Sequence, residues 1–272
     1  MALKNPKPQK NPRKLKMSEV VKFTDMEAYC KATECGIGDK LYCSTLIGDL
    51  QEAAERSSYA LGYGTDFLKD NEICWIILKM RLHFTELPSW HETFRIRTWA
   101  NYIDKFYFGR DFEIYSSDNR LIGMATSVWI LADWNTHRPV IANKRPELPP
   151  PLIQDPKLVF GEKCPKIRFP DRNEVAGESD KPVIIKYADF NELDRNRHVN
   201  NSRYTAWAYD ALFKCGYDVT LIEDLVINYN SEVKAGEKVE LFISEKDGKL
   251  TVFGYKNIDT KVFAVDITMR SV

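Results

Sequence analysis

Asp194, Asn196 and His198 place an acid, an amide and an imidazole at alternate positions of one short polar stretch. Alternate residues of an extended segment point to the same side, so we expect these side chains to line one wall, about 6–7 Å apart along the backbone. A helix is predicted directly afterwards, with Asn200 as a cap residue, because apolar residues recur there at spacings of three and four. An acid, an amide, an imidazole and the N-terminus of a helix can together hydrolyse an acyl group. The alternative is a polar loop of turn-forming residues with a solvated histidine.

The longer phrase LDRNRHVNNSRYTAW (193–207) resembles the signature of the plant-type fatty acyl-ACP thioesterases, a family with two hot-dog domains in one chain. Other segments that resemble the same family are LQEAAERSSYALGYG (50–64), PSWHETFRIRTW (88–99), GRDFEIY (109–115) and SVWILAD (127–133). Their order and spacing extend the resemblance over residues 18–270. The resemblance implies an enzyme that releases free fatty acid from acyl carrier protein.

Site residues follow from this resemblance one position at a time. Asp194, Asn196 and His198 fall on the three polar positions of the family signature, and Glu232 falls on an acid at the end of the next strand. Val233 stands where the plant enzymes often have a cysteine, so we expect water rather than a thiol to attack the thioester. Glu232 or Asp194 would act as the base, and Asn196 with the helix N-terminus would stabilise the oxyanion. His198 would orient the acid or the water, or protonate the leaving thiolate.

Two helix ends in the chain look like copies of one another. The segments ALGYG and KCGYD align with Gly62 opposite Gly216, an offset of 154 residues (216 − 62). The same offset places Ser44 opposite His198, so the first copy lacks the polar row. We therefore expect the second half to catalyse and the first half to hold the acyl chain.

The prolines divide the chain. Nine of the thirteen lie between Pro139 and Pro182, which predicts a connector without much helix or sheet of its own. The predicted fold class is α+β, a tandem hot-dog fold in which each half is a long helix wrapped by an antiparallel sheet. The predicted organisation is a basic tail at 1–17, an N-terminal hot-dog domain at 18–142, a connector at 143–181 and a C-terminal hot-dog domain at 182–272.

Five of the six tryptophans lie between Trp75 and Trp134. Most are expected in the core, and some are expected to line an apolar acyl tunnel. The residues predicted to bind substrate are Trp75, Ile77, Trp99, Trp129 and Asn200.

The composition argues against a nucleic-acid-binding protein, a metalloprotein and a membrane-spanning protein. The charges balance at 39 basic and 39 acidic residues, which argues against a nucleic-acid partner. The histidines at 83, 91 and 137 lie far apart in sequence and the cysteines form no CxxC pair, so neither a metal site nor a cofactor is expected. No apolar run approaches the 18 or so residues of a membrane span, and the basic N-terminus lacks signal-peptide and transit-peptide features, so a bacterial, cytoplasmic protein is predicted.

Alternatives to an acyl-ACP thioesterase are an acyl-CoA thioesterase and a non-catalytic hot-dog protein that binds an acyl group. The simultaneous presence of Asp194, Asn196, His198 and Glu232 favours hydrolysis. Acyl carrier protein is the expected partner, and the chain is expected to be a monomer or a homodimer. Basic residues of the connector are candidates for contact with that acidic partner: Lys144, Arg145, Lys163, Lys166 and Arg168.

Overall fold

The computed structural model describes residues 23–141, 157–177, 181–246 and 249–271. The predicted basic tail at 1–17 and the connector residues Lys144 and Arg145 lie outside the described residues. In this described part, no helix is long and apolar enough to cross a membrane.

Within the described residues, each half contains one long helix and five strands, and each is accompanied by one short α-helix. The first half contains β1 (Thr24–Tyr29), α1 (Cys43–Ala60), α2 (Thr65–Asp70), β2 (Ile73–Phe84), β3 (Thr93–Asp104), β4 (Tyr107–Tyr115) and β5 (Leu121–Asp133). The second part contains α3 (Arg172–Ala176), β6 (Ile184–Tyr187), α4 (Asn201–Lys214), β7 (Ile222–Tyr229), β8 (Lys238–Lys246), β9 (Lys249–Lys256) and β10 (Thr260–Met269).

All ten strands form one antiparallel sheet with the order β1-β3-β4-β5-β2-β7-β10-β9-β8-β6. The two halves meet where β2 pairs with β7, from Lys79 opposite Asn228 to His83 opposite Asp224. Outward from this seam, β2-β5-β4-β3-β1 on one side corresponds to β7-β10-β9-β8-β6 on the other. The sheet is therefore a pair of equivalent five-stranded units, and the predicted tandem hot-dog fold is confirmed.

The two long helices end in the same way, as the aligned glycines predict. Gly62 and Gly216 both have a φ of 85°, a left-handed conformation that favours glycine. The following tyrosine closes each helix with the same bond: Tyr63 N–H donates to a carbonyl five residues back at 2.8 Å, and Tyr217 N–H does so at 3.1 Å. The N-termini differ, because α1 begins at residue 43 whereas the offset from α4 gives residue 47 (201 − 154). The additional turn of α1, residues 43–46, corresponds by this offset to residues 197–200 and so includes the position of His198.

The core lies between the long helices and one face of the sheet. Helix α1 packs against α4, and Leu46, Leu50 and Ala53 are fully buried on its inner stripe. On α4, Trp207 and Ala208 are buried in the same cluster. Each fully buried side chain of leucine size contributes about 1.5–3 kcal/mol to stability. This packing fixes the start of α4, beside which the candidate catalytic residues lie.

The described residues of the connector contain one short helix, α3, and the prediction that the connector has little helix or sheet of its own stays a prediction. Helix α3 begins with a capping box in which Asp171 and Glu174 satisfy each other's backbone N–H groups. Before it, Ile167 and Phe169 pack with Phe253 in a second apolar cluster. The sequence of the connector is therefore used to cover part of the second-half sheet.

Candidate active site

The stretch from Asp194 to His198 is a tight turn, and the prediction of an extended row is wrong. The Asp194 N–H donates to the His198 carbonyl at 2.7 Å, and Arg197, with a φ of 65°, donates to the Asp194 carbonyl at 3.0 Å. Asp194 Oδ1 accepts the backbone N–H groups of Asn196 at 2.8 Å and His198 at 3.1 Å. Such bonds from an aspartate to the backbone that follows it compete with extended structure and favour turns. Asp194 therefore shapes the loop that presents Asn196 and His198.

A short antiparallel pairing brings this turn to Glu232. The Val199 N–H donates to the Val233 carbonyl at 2.8 Å. Glu232 lies just beyond the end of β7, and its backbone carbonyl accepts a bond from Lys256 Nζ at 2.6 Å. The turn after β6 and the end of β7 are thus held together by backbone bonds and not only by their side chains.

The carboxylate of Glu232 lies between two imidazoles. His198 Nε2 is 3.5 Å from one carboxylate oxygen, and His137 Nδ1 is 3.3 Å from the other. The two rings are edge-on, with centroids 6.4 Å apart. The Glu232 side chain is 42% exposed, so water reaches the carboxylate while the two rings restrict its direction.

His137 comes from the first half of the chain. It follows β5 in a turn in which Asp133 Oδ1 accepts the N–H of Asn135 at 3.1 Å and of Thr136 at 2.8 Å. The His137 N–H then donates to the Asp133 carbonyl at 2.8 Å, and the residue adopts a left-handed φ of 54°. The turn directs this imidazole across the seam toward the second half.

A cavity of about 430 Å³ opens at this seam. The pairing of strands β2 and β7 ends at Lys79 and Asn228, and the two strands separate beyond that pair. Asn201, the first residue of α4, lies on the cavity wall, so the helix N-terminus faces the cavity. The wall also contains side chains from both halves, among them Cys74, Trp75, Ile77, Trp134, His137, Asp194, Asn196, His198, Tyr204 and Glu232.

Cys74 places a thiol on the wall of this cavity. Burial, with a smaller contribution from the negative charge of Glu232, raises the pKa of Cys74 to about 11. The group is therefore a neutral thiol near pH 7, and the thiolate is the nucleophilic form of cysteine. Cys215 is exposed at the C-terminal end of α4.

A second, smaller cavity, of about 90 Å³, lies in the first half between α1 and the sheet. Its wall is largely apolar and includes Ala54, Leu61, Tyr63, Trp75, Ala100, Phe108 and Trp129. Trp75 contributes to both cavities, and its ring packs edge-on against Phe108 with centroids 5.0 Å apart. Trp75 therefore stands between the polar cavity and the apolar one.

Trp99 and Asn200 line neither of these two cavities. Trp99 is buried and contacts Phe23 edge-on, with ring centroids 5.5 Å apart. Its neighbour Ala100 lines the apolar cavity, and successive residues of a strand point to opposite faces. The Asn200 side chain accepts the Ser202 N–H at 3.0 Å, so it caps α4.

Two family models cover most of the chain. The model for the acyl-ACP thioesterase N-terminal domain matches residues 22–144, and the model for the C-terminal domain of the same family matches residues 174–265. This chain belongs to the acyl-ACP thioesterase family. The resemblance carried by residues 193–207 is therefore confirmed, and both halves of the tandem fold match this family.

The sequence of this chain is modestly identical to those of known members of the family. The oleoyl-acyl carrier protein thioesterase of Coriandrum sativum is 24% identical over 229 residues, which cover 78% of this chain and 59% of that protein. The chain spans about six-tenths of the length of this relative and of two oleoyl-acyl carrier protein thioesterases of Arabidopsis thaliana.

Solved structures of thioesterases share the fold. An acyl-ACP thioesterase from Bacteroides thetaiotaomicron has a TM-score of 0.74 at 23% identity, covering 93% of this chain and 100% of that chain. The 12:0-ACP thioesterase from Umbellularia californica has a TM-score of 0.71 at 17% identity, covering 92% of this chain and 98% of that chain.

In this member of the acyl-ACP thioesterase family, sequence reasoning missed His137 and Cys74. Neither belongs to the polar signature, and each reaches the cavity only because β2 and β7 pair across the seam. The turn-forming residues DWNT before His137 were the available local signal, but they do not indicate a partner about 95 residues away in sequence. Among the described residues, no group of three or more His, Cys, Asp and Glu side chains is arranged to hold a metal ion.

Proposed function

We propose that this chain hydrolyses the thioester of fatty acyl groups carried by acyl carrier protein, with water as the attacking group. The observation that carries the proposal is the position of Glu232, whose carboxylate lies between His198 and His137 on the wall of the seam cavity. That cavity adjoins a largely apolar one through Trp75. A polar centre beside a dry channel suits a substrate with one reactive carbonyl and a long hydrocarbon tail.

Glu232 is the proposed base, and Asp194 has a different task. Asp194 Oδ1 already accepts two backbone N–H groups, so removing a proton from water would compete with the bonds that shape the loop. Glu232 is contacted by imidazoles and is open to water. A carboxylate oriented in this way can take a proton from water as the water attacks the thioester carbon.

The developing oxyanion needs hydrogen-bond donors. The Asn196 amide and the N-terminus of α4 at Asn201 lie on the same cavity wall as Glu232, and we assign the oxyanion to them. His198 and His137 orient the carboxylate, and His198 can pass a proton to the leaving sulfur. A thiolate is already a fair leaving group, so this last proton transfer adds little to the rate.

The two halves have different functions in this proposal, one mainly in binding and the other mainly in catalysis. In this proposal residues 18–142 hold the acyl chain in the apolar cavity, with Trp75 and Trp129 in its wall, and residues 182–272 supply the base and the oxyanion donors. Ile77 lies on the seam cavity, where it would contact the first carbons of the chain. The first half also contributes His137, so it takes part in the reaction as well as in binding.

A hydrolysis panel tests the proposal. Purified protein is given acyl-ACP and acyl-CoA substrates of matched chain lengths, and free thiol is measured with time. Glu232→Gln protein prepared identically reports contaminating thioesterases, because Glu232 is the proposed base. Faster turnover of the ACP series supports the proposal, and faster turnover of the CoA series makes the chain an acyl-CoA thioesterase. Tight acyl binding without turnover in either series would make it a binding protein.

The source organism and the cellular compartment of the protein stay predictions from the sequence. A bacterial cytoplasm was predicted, whereas the curated relatives are chloroplastic plant proteins. Whether the chain works as a monomer or a homodimer is also a prediction, which sedimentation of the purified protein tests directly.

A further inference from the structure

The apolar cavity of the first half contains hydrogen-bond donors that the protein does not use. Gln51 Nε2 and Trp75 Nε1 are buried, and neither has a hydrogen-bond partner among the described residues. Both residues line this cavity. Trp129, on the same wall, differs from them because its Nε1 donates to Ser127 Oγ at 2.7 Å.

Arg110 adds a buried positive charge to the same wall. It is 8% exposed, and Nη1 donates to Thr98 Oγ1 at 3.2 Å. Burial lowers the pKa of Arg110 to about 10, so the guanidinium remains charged near pH 7. The described carboxylate on this wall, Glu55, accepts from Thr65 Oγ1 at 2.5 Å and forms no ion pair with Arg110.

A plain hydrocarbon tail is a poor match to these three donors. It would displace water from Gln51, Trp75 and Arg110 and offer no acceptor in return. Leaving a buried donor unpaired is unfavourable, and it is more so for a charged group. The remaining wall, with Leu61, Tyr63 and Phe108, does suit an alkyl chain. The cavity thus combines a largely apolar wall with three donor side chains, Gln51, Trp75 and Arg110.

We propose that this cavity recognises acyl chains that carry an oxygen acceptor, a hydroxyl or a keto group, on the part of the chain beyond Trp75. The oxygen accepts from Gln51 Nε2, Trp75 Nε1 or the Arg110 guanidinium, while the flanking methylenes contact the apolar wall. This inference rests on the proposed thioesterase function for its substrate, but the recognition itself concerns binding alone.

Matched substrate pairs test the inference. The ACP thioesters of ω-hydroxylauric and lauric acid, and of ω-hydroxypalmitic and palmitic acid, are compared by kcat/KM. We expect the oxygenated member of at least one pair to be favoured by about tenfold or more, because sites built to bind a hydroxyl reject the analogue that lacks it. Gln51→Leu and Trp75→Phe should each reduce that ratio by several-fold.

Trp129→Phe is the matched control, since it removes an indole whose N–H is already bonded to Ser127. It should leave the ratio unchanged. Ratios near one for both pairs in the wild-type protein would overturn the inference and would mean that the donors hold water.

Binding of the free acids separates this inference from the proposed function. Tryptophan fluorescence titration of wild-type protein with each free acid requires no turnover, and we expect the hydroxy acid of the favoured pair to bind about tenfold more tightly than its plain counterpart. If no thioester is hydrolysed but the hydroxy acids bind preferentially, the proposed function fails and the inference stands. If all thioesters are hydrolysed and the acids bind equally, only the inference fails.

Discussion

The imidazole of His137 lies 3.3 Å from the carboxylate of Glu232, although the two residues come from different halves of the chain. The contact exists because β2 and β7 join the halves into one sheet and then separate beside the site. The candidate catalytic group therefore depends on the assembly of both hot-dog units. Neither half alone supplies both neighbours of Glu232.

His137 should act on the rate more than on binding. His137→Ala is expected to lower kcat by about 10- to 100-fold with KM changed little, because a misdirected carboxylate loses its reactive geometry. His137→Asn should recover part of the rate, since its amide nitrogen can replace Nδ1 and Asn tolerates the left-handed φ of 54°. His91→Ala is the control, because His91 contacts Tyr29 outside the site. A rise in KM as large as the fall in kcat would argue against this positioning role.

Asp194 should be replaceable by Asn to a degree that a general base is not. Asp194→Asn keeps an oxygen that can accept the N–H groups of Asn196 and His198, whereas Asp194→Ala removes it. We expect Asp194→Ala to lower turnover by orders of magnitude and Asp194→Asn to lose at least about tenfold less, consistent with loss of loop geometry. The measurement is kcat/KM for one acyl-ACP substrate, with circular dichroism to verify folding. Equal inactivation by both changes would assign the base to Asp194.

The thiols should be dispensable. The raised pKa of Cys74, about 11, means that its thiolate fraction is small near pH 8 and grows only as the pH approaches 11. Iodoacetamide labelling of Cys74 in the folded protein, followed by mass spectrometry, should therefore be slow at pH 8 and accelerate at higher pH. Exposed Cys215 serves as the internal reference for accessibility. Cys74→Ala and Cys215→Ala should keep most activity, and an inactive Cys74→Ala protein that is still folded would contradict the water mechanism.

Chain-length preference should respond to the first half. Ala54 lies on the wall of the apolar cavity, so Ala54→Leu should favour shorter acyl groups by about tenfold for every two carbons excluded, given about 0.8 kcal/mol per buried CH₂. Glu52→Leu, on the exposed side of α1, is the control. Substitutions of Asn196 should instead lower the rates for all chain lengths alike. A preference that shifts only with second-half substitutions would count against the assignment of the acyl chain to the first half.

The sequence predicted the features that depend on local pattern. Gly62 and Gly216 were recognisable as equivalent helix ends because both left-handed positions favour glycine. The four predicted catalytic residues do line one cavity, since the family signature fixes their types and order. The helix ends and the stretch from Asp194 to His198 are each encoded within a few residues of the chain.

Two kinds of feature were not predicted: a local turn formed by side-chain hydrogen bonds, and contacts that depend on strand pairing. The alternation argument failed for Asp194–His198 because aspartate bonds to the backbone that follows it favour a turn, and DRN is itself a turn-forming sequence. Trp99 was grouped with the acyl cavity by composition, whereas the strand register assigns that side to Ala100. His137 reaches Glu232 only through the pairing of β2 with β7.

The most direct test of the central claim is single-turnover hydrolysis of an acyl-ACP substrate by wild-type and Glu232→Gln protein, with substrate binding measured in parallel. Glutamine keeps the size of the side chain and its contacts with the two imidazoles but cannot take a proton from water. A loss of about 10³-fold or more in the single-turnover rate, with the dissociation constant within a few-fold of wild type, is the predicted result. A Glu232→Gln protein that hydrolyses the thioester within a few-fold of the wild-type rate would contradict the assignment of Glu232 as the base.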